Sequence, residues 1–416
     1  MGGIPAQRAF RLLFAAQSIS SLGDRLVPVA LAFAVLNLTG SATGLGVVLA
    51  AQTVPLVLFV LVGGVWADRL PRRLVMATSD LVRAASQGLC AALLLTGSAR
   101  LWEIVVLQAV YGTARAFFDP AVLSVLPQTV NADQLQQANS LIALTGNVAG
   151  IAGPALAGVI VAAAEPGWGL AFDAVTFLAS VAFVRAMPPI AAKVREGTTL
   201  VHELRHGWSA FRARRWLWVT VSCFTLYIGF AWAPWQVLGP DVARTSLGGP
   251  GAWAAIAVAL GLGSVAGGVI GLRARPRHPF RLTFAIFVVV TPALLGLVAA
   301  HAPLWLILPV AVIDGTSGTI FNTFWFTAVQ SDVPPGELAR VMSWDYFGSV
   351  GVLPLGQALA GPVAAALGTS TTLYGAAVLT MILFGLGLTV PAVRNFSPPA
   401  VAPPPAGSEV LLSGGG

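Results

Sequence analysis

Apolar residues run through this chain in blocks of about 20 or more, with short polar breaks between them. A block of that length crosses the hydrocarbon core of a bilayer as a helix. Twelve blocks are predicted: 9–37, 44–66, 75–97, 101–126, 138–164, 168–188, 215–239, 251–272, 281–300, 303–329, 341–367 and 371–393. The apolar–polar alternation of a membrane barrel is missing, so each block reads as a helix.

Composition narrows the class. Of 416 residues, 56% are hydrophobic and only 9% are charged, against about 25% charged in a soluble domain. Charges are too few to cover a soluble surface. This excludes a soluble enzyme, a nucleic-acid-binding domain, a secreted disulfide scaffold and a disordered chain as the main architecture. Cys90 and Cys223 lie inside apolar blocks and form no disulfide or metal pattern.

The net charge is +7, and most of the arginines and the single lysine, Lys193, cluster in the breaks between blocks. That placement sets membrane orientation rather than nucleic-acid binding. With the N-terminus inside, the inner segments hold Arg8, Arg11, Arg69, Arg72, Arg73, Lys193, Arg195, Arg205, Arg212, Arg214, Arg215, Arg273, Arg275, Arg277, Arg281, Arg340 and Arg394. The outer segments hold Arg100 and Arg244. Both termini are therefore expected in the cytoplasm, on a multi-pass protein of the cell membrane. The first block contains Asp24-Arg25 and continues past them, so it reads as a retained span and not a cleaved signal.

The expected domains are a six-helix bundle over 1–188, a polar, basic cytoplasmic linker over 189–214 and a second six-helix bundle over 215–395. The tail 396–416, rich in proline, glycine and alanine, reads as disordered.

An internal repeat at an offset of 203 supports two halves. Gly153-Pro-Ala-Leu-Ala-Gly158 matches Gly356-Gln-Ala-Leu-Ala-Gly361, Gly112-Thr113 matches Gly315-Thr316, and Phe118-Asp119 matches Phe321-Asn322. Val130, Leu135 and Ser140 match Val333, Leu338 and Ser343. Six spans, an even number, separate the copies, so the halves face the membrane alike and should be parallel repeats.

The break after the second block reads Gly63-Gly-Val-Trp-Ala-Asp68-Arg69-Leu-Pro-Arg72-Arg73. Gly64 lets helices approach closely. Asp68 suits a helix N-terminus, and the arginines suit carboxylates and helix ends. The fifth block carries Gly146, Gly150, Gly153-Pro154 and Gly158, a small-residue face with a proline that removes one backbone donor.

On these residues the chain resembles the major facilitator superfamily, whose signature loop matches at Gly64, Asp68, Arg69, Arg72 and Arg73. The fifth block looks like that family's antiporter motif at Gly150, Gly153, Pro154 and Gly158, which implies efflux. Phe117-Phe118-Asp119-Pro120, Ala138-Asn139-Ser140 and Ser21-Leu22-Gly23-Asp24 are similar to the branch holding macrolide efflux proteins and the enterobactin exporter. The family's span-four arginine, four residues before a glycine, is replaced here by Gln108, so no role of that arginine carries over.

Ionisable groups inside a span are expensive and mark pathways or cavities. Asp24 lies roughly 22 Å into its block and Asp314 roughly 16 Å, both central. These are the proton-coupling candidates; for Asp24 the alternative is a static pair with an arginine. Arg115 and Asp119, four apart on one helix face, can pair as a structural contact or a gate latch. Asp173, Asp345 and Glu103 read as helix-terminus charges. Asp80 and Arg83, near the cytoplasmic end of the third block, either join the network around Asp68 or form a solvated face. Candidates for a substrate cavity are Arg25, Gln52, Tyr111, Phe118, Asn147, Phe321 and Asn322, with helix packing as the alternative.

The expected protein is an all-α membrane transporter of twelve transmembrane helices in two parallel pseudo-symmetric bundles. Its expected function is proton-coupled efflux of a small amphipathic or hydrophobic molecule, a drug or a natural product such as a macrolide or siderophore. Alternatives are an importer or uniporter of the same fold, or a transport-inactive sensor. It is not expected to be an enzyme, since no catalytic group or metal-ligand spacing is present. No cofactor is expected beyond the proton gradient, and partners are the small-molecule substrate and membrane lipid, with no nucleic acid. The expected unit is a monomer.

Overall fold

The computed structural model describes residues 8–131, 134–188 and 208–397, with the backbone alone at 60–69, 335–336, 339–340 and 343. The linker residues 189–207 and tail residues 398–416 lie outside the described residues. The described chain is helical because, in lipid, a helix pairs its own backbone donors and acceptors.

Six rods make the first half: α1 (Arg8–Thr39), α2 (Ala42–Arg69), α3 (Arg72–Leu95), α4 (Leu101–Val125), α5 (Leu135–Ala163) and α6 (Gly167–Ala186). Six make the second: α7 (Arg215–Leu247), α8 (Pro250–Arg273), α9 (Pro279–Ala299), α10 (Leu304–Asp332), α11 (Trp344–Leu367) and α12 (Thr369–Thr389). Ten of the twelve are long and apolar enough to span a membrane among the described residues.

The other two, α3 and α4, have the length but carry charge. In α3 the buried stripe is Met76, Ser79, Asp80, Arg83, Ser86, Gln87 and Cys90, whereas Leu74, Leu81 and Leu89 lie exposed. The polar stripe recurs at helical spacing and points into the bundle, and the apolar stripe points to lipid. That reversal of soluble amphipathicity lowers the mean hydropathy of α3 although it packs among apolar helices.

Glycines set the crossings, and the repeat reappears in them. A Cβ on Gly112 of α4 would overlap the Gln52 carbonyl of α2, and one on Gly315 of α10 would overlap the Leu260 carbonyl of α8. Gly153 of α5 meets α1 at Arg25–Leu26; Gly356 of α11 meets α7 at Gly229. Leu26 and Gly229 are themselves 203 positions apart.

The interiors differ. Hydrogen-bonding and charged side chains cross the middle of the first half. The second half is packed with aromatic rings: Phe224 stacks on Phe321 at 4.1 Å, and Phe287 on Phe384 at 5.0 Å. Helices of the second half are also interrupted near mid-depth. α7 loosens into a π-turn at Ile228–Trp232, α9 breaks between Phe287 and Val290, and α11 turns between Val350 and Leu353.

The halves touch toward the end away from the arginine-rich segments. There Gly46 meets the Gln357 carbonyl, Gly361 meets Thr43, and Gly158 meets Ala254.

Candidate functional site

In the first half Asp24 of α1 accepts the Tyr111 hydroxyl of α4 at 2.5 Å. Its other oxygen lies 3.8 Å from Nη1 of Arg83, a guanidinium only 1% exposed. Arg83 also donates to Asp80 one helical turn away, and Ser180 of α6 donates to the second Asp80 oxygen at 2.6 Å. The Arg83 guanidinium is sandwiched between the Phe118 ring at 4.0 Å and the Phe177 ring at 4.2 Å. Deeper in, Gln108 donates to Gln87 and Gln87 to Asp173, each at 3.1 Å. These contacts tie α1, α3, α4 and α6 together around one arginine, the usual way of keeping a buried charge tolerable.

In the second half a cavity of about 660 Å³ runs from the level of Asp314 toward the arginine-rich end. Its size suits a drug-sized ligand, for which pockets run about 300–1,000 Å³. Phe224, Tyr227, Trp232, Phe287, Phe321, Trp325, Phe326 and Tyr346 give it aromatic walls; Asp314, Asp345, Asn322 and Ser349 supply acceptors, and Arg25 reaches it from α1. Trp325 Nε1 donates to Asp345 at 3.1 Å. Thr291 of α9, just past the α9 break, donates to Asp314 at 2.5 Å.

Of the residues expected in a cavity, Arg25, Phe321 and Asn322 line this one, as does Asp314. Tyr111 and Phe118 do not: they are 1% and 4% exposed and face the first-half arginine and Asp24. The Gln52 backbone carbonyl lies at the α2–α4 crossing, Asn147 is exposed on α5, and neither residue is part of the cavity lining. Asp24 has an arginine partner and is 27% exposed.

Arg115 Nε and Asp119 Oδ2 stand 3.4 Å apart, both half-buried. Gly64, Asp68 and Arg69 end α2, but their side chains lie outside the described residues. Arg72 donates to the Ser124 carbonyl at 3.0 Å and Arg73 to the Arg185 carbonyl, stapling the end of α3 to its neighbours. The Gly150 carbonyl packs against Gly261 of α8, Gly153 packs against α1, Pro154 is buried within α5, and Gly158 faces Ala254 of α8.

Asp173 lies inside α6, and Asp345 lies inside the helical stretch Pro335–Val350 that leads into α11, so neither is a helix-end charge. The first is buried and bonded to Gln87; the second lines the cavity under the Trp325 indole. Glu103 does sit at a helix end, accepting the Arg100 amide at 2.8 Å. Asp80, Arg83, Gln87 and Asp173 were legible only as the period-3.6 polar stripe of α3 and its complement on α6.

The sequence profile of the transmembrane secretion effector family matches residues 5–406. The multidrug efflux pump Tap of Mycolicibacterium fortuitum is 27% identical over 399 residues, covering 92% of this chain and 96% of Tap. Macrolide efflux protein A of Streptococcus pyogenes is 23% identical over 341 residues, covering 80% of this chain and 84% of that one. In fold, the solved nucleoside transporter NupG superposes with a TM-score of 0.75 at 13% identity, over 92% of this chain and 98% of NupG. Two bundles of spanning helices about an aromatic cavity thus coincide with a family match along nearly the whole length. The chain is a membrane transporter of the major facilitator superfamily and belongs to its transmembrane secretion effector family.

Proposed function

We propose that the protein exports a small amphipathic or hydrophobic molecule, a drug or natural product of the macrolide or siderophore kind, across the cell membrane in exchange for protons. The observation that carries this reading is the cavity of about 660 Å³, aromatic on its walls, with Asp314 and Asp345 in its lining. Such a surface takes up bulky apolar rings and leaves carboxyls within reach of water and cargo. The names of the relatives, a multidrug efflux pump and a macrolide efflux protein, point the same way.

With both termini in the cytoplasm, as the arginine distribution favours, the described state is open inward and closed outward. Gly46, Gly158 and Gly361 form the outer seam. Alternating access then rocks the halves about the cavity. The chain works as a monomer, and Asp24 and Asp314 are the acids available for coupling.

The test is a panel of macrolides, other drugs and siderophores in cells lacking their own pumps. Expression of the native chain should lower accumulation of at least one class and raise resistance to it, and Asp314→Asn should remove the effect. Accumulation unchanged for every class would contradict export.

A further inference from the structure

The offset of 203 that relates the halves maps Asp24 of α1 onto Tyr227 of α7, and Tyr111 of α4 onto Asp314 of α10. Each half therefore has one carboxyl and one phenol at the same two places, with acid and tyrosine exchanged between the helices. In the first half the two are directly bonded, Tyr111 to Asp24 at 2.5 Å. In the second, Tyr227 and Asp314 line the same pocket together with Thr291, which donates to Asp314.

Their surroundings differ in one decisive respect. Arg83 faces Asp24 from α3. The equivalent region around Asp314 holds no cation on α8, α9, α10 or α12 among the described residues. Asp314 is faced by Tyr227 from α7 and Thr291 from α9, and Leu260 and Ser264 of α8 share the large cavity with it. Across the open cavity stand Asp345 and Tyr346 of α11 and, from the other half, Arg25 of α1, which is exposed to the cavity space.

Asp314 also borders two spaces. On one side is the large cavity. On the other is a pocket of about 10 Å³, room for a single water, lined further along α7 and α9 toward the outer end by Trp235, Leu294 and Leu295. Asp314, Tyr227 and Trp232 line both. The π-turn of α7 and the break of α9 flank this spot, leaving backbone that can rearrange.

From the exchanged pairs and the two-sided exposure we infer that Tyr227 and Asp314 form the mobile proton site, reached from outside through the water-sized pocket, whereas Asp24 is a fixed charge held by Arg83. The inference deepens the proposed proton-driven export and rests on it for its role in the cycle. The Asp314 carboxylate accepts a proton from a water on the outer side, becoming a neutral acid. It returns that proton to cavity water on the inner side, becoming a carboxylate again. Tyr227 is a positioning residue: its phenol orients the carboxyl toward one space or the other, as Tyr111 does permanently for Asp24.

The site can be read without any cargo, by pH-difference infrared spectroscopy on the purified full chain in lipid. The native protein and Asp24→Asn should share a titrating buried-carboxyl band. Asp314→Asn should lack it, and Asp345→Asn should keep it. Tyr227→Phe should keep the band but move its frequency and titration midpoint, which a merely structural tyrosine would not do. Asp314→Glu should bring back a displaced band, separating loss of the acid from loss of the fold. A band that survives Asp314→Asn and disappears in Asp24→Asn overturns the assignment, as does a band untouched by Tyr227→Phe. Export failing while the band behaves as described would sink the export reading alone; export succeeding with the band elsewhere would sink this site alone.

Discussion

Arg83 donates to Asp80 within the closed interior of the first bundle, and the same guanidinium faces Asp24 on a second helix. Its planar cation also fills the slot between Phe118 and Phe177. A buried ion pair adds modestly to stability, but removing one partner strands the other, which costs about 3–5 kcal/mol. Arg83→Met should therefore lower thermal stability in lipid by that order. Arg83→Lys should recover part of it, since an ammonium keeps the charge but not the planar stacking face. Equal stability of Arg83→Met and the native chain, by thermal unfolding of the purified protein, would mean the cluster does not hold the bundle together.

Close crossings give a second prediction. Gly112 lies against the Gln52 carbonyl, and Gly315 against that of Leu260, so a side chain at either position must push a backbone away. Gly146 has open space where its Cβ would go. Gly112→Val and Gly315→Val should each destabilise the fold by about 1–3 kcal/mol, as overpacking does. Gly146→Ala should be neutral or stabilise by up to about 1 kcal/mol, since alanine favours the helix. Unfolding midpoints of the three variants decide it.

The seam between halves supplies a third. Gly158 of α5 and Ala254 of α8 are in contact at the outer end. Both native cysteines are buried. Cysteines placed at 158 and 254 should cross-link on oxidation, block turnover and release it on reduction. Oxidised protein that keeps full flux would show that this seam need not open.

The cavity lining supplies a fourth. Asp345 takes the Trp325 indole and faces the cavity with Asp314. Asp345→Asn should weaken export of cationic compounds about tenfold, on the order of 1.4 kcal/mol, and leave neutral compounds of similar size unchanged. Concentration dependence of export for matched cationic and neutral compounds measures this; equal loss for both would assign Asp345 to structure.

How far the sequence could be read follows from what a helix reveals on its own. Block length placed most span ends within a few residues; the seventh span runs to Leu247, eight residues past the predicted 239, because a π-turn at Ala243–Leu247 carries the helix on beyond the apolar block. The repeat matched Gly112 with Gly315, and the structure puts both at close helix crossings, a role the match alone did not state. Direction around the helix was the missing coordinate. Tyr111 and Phe118 share one face of α4 with Gln108, and that face turns into the first bundle and away from the cavity. Nothing along α4 alone distinguishes the two sides, because lipid, bundle interior and cavity all accept aromatic residues. Asp173 misled for a related reason: it sits two turns inside α6, and only its partner Gln87, 86 residues earlier, shows that it is a buried acceptor. The exchange of acid and tyrosine between halves was likewise present in the numbering, but invisible while repeats were sought as identities.

The most direct measurement of the whole account is flux in proteoliposomes carrying an imposed proton gradient, with a compound to which the protein confers resistance. A gradient directed inward, toward the arginine-rich side, should accelerate outward movement of the compound. An uncoupler should abolish that acceleration, and Asp314→Asn should be insensitive to the gradient from the start. Flux through the native protein that ignores the gradient would contradict proton-driven export.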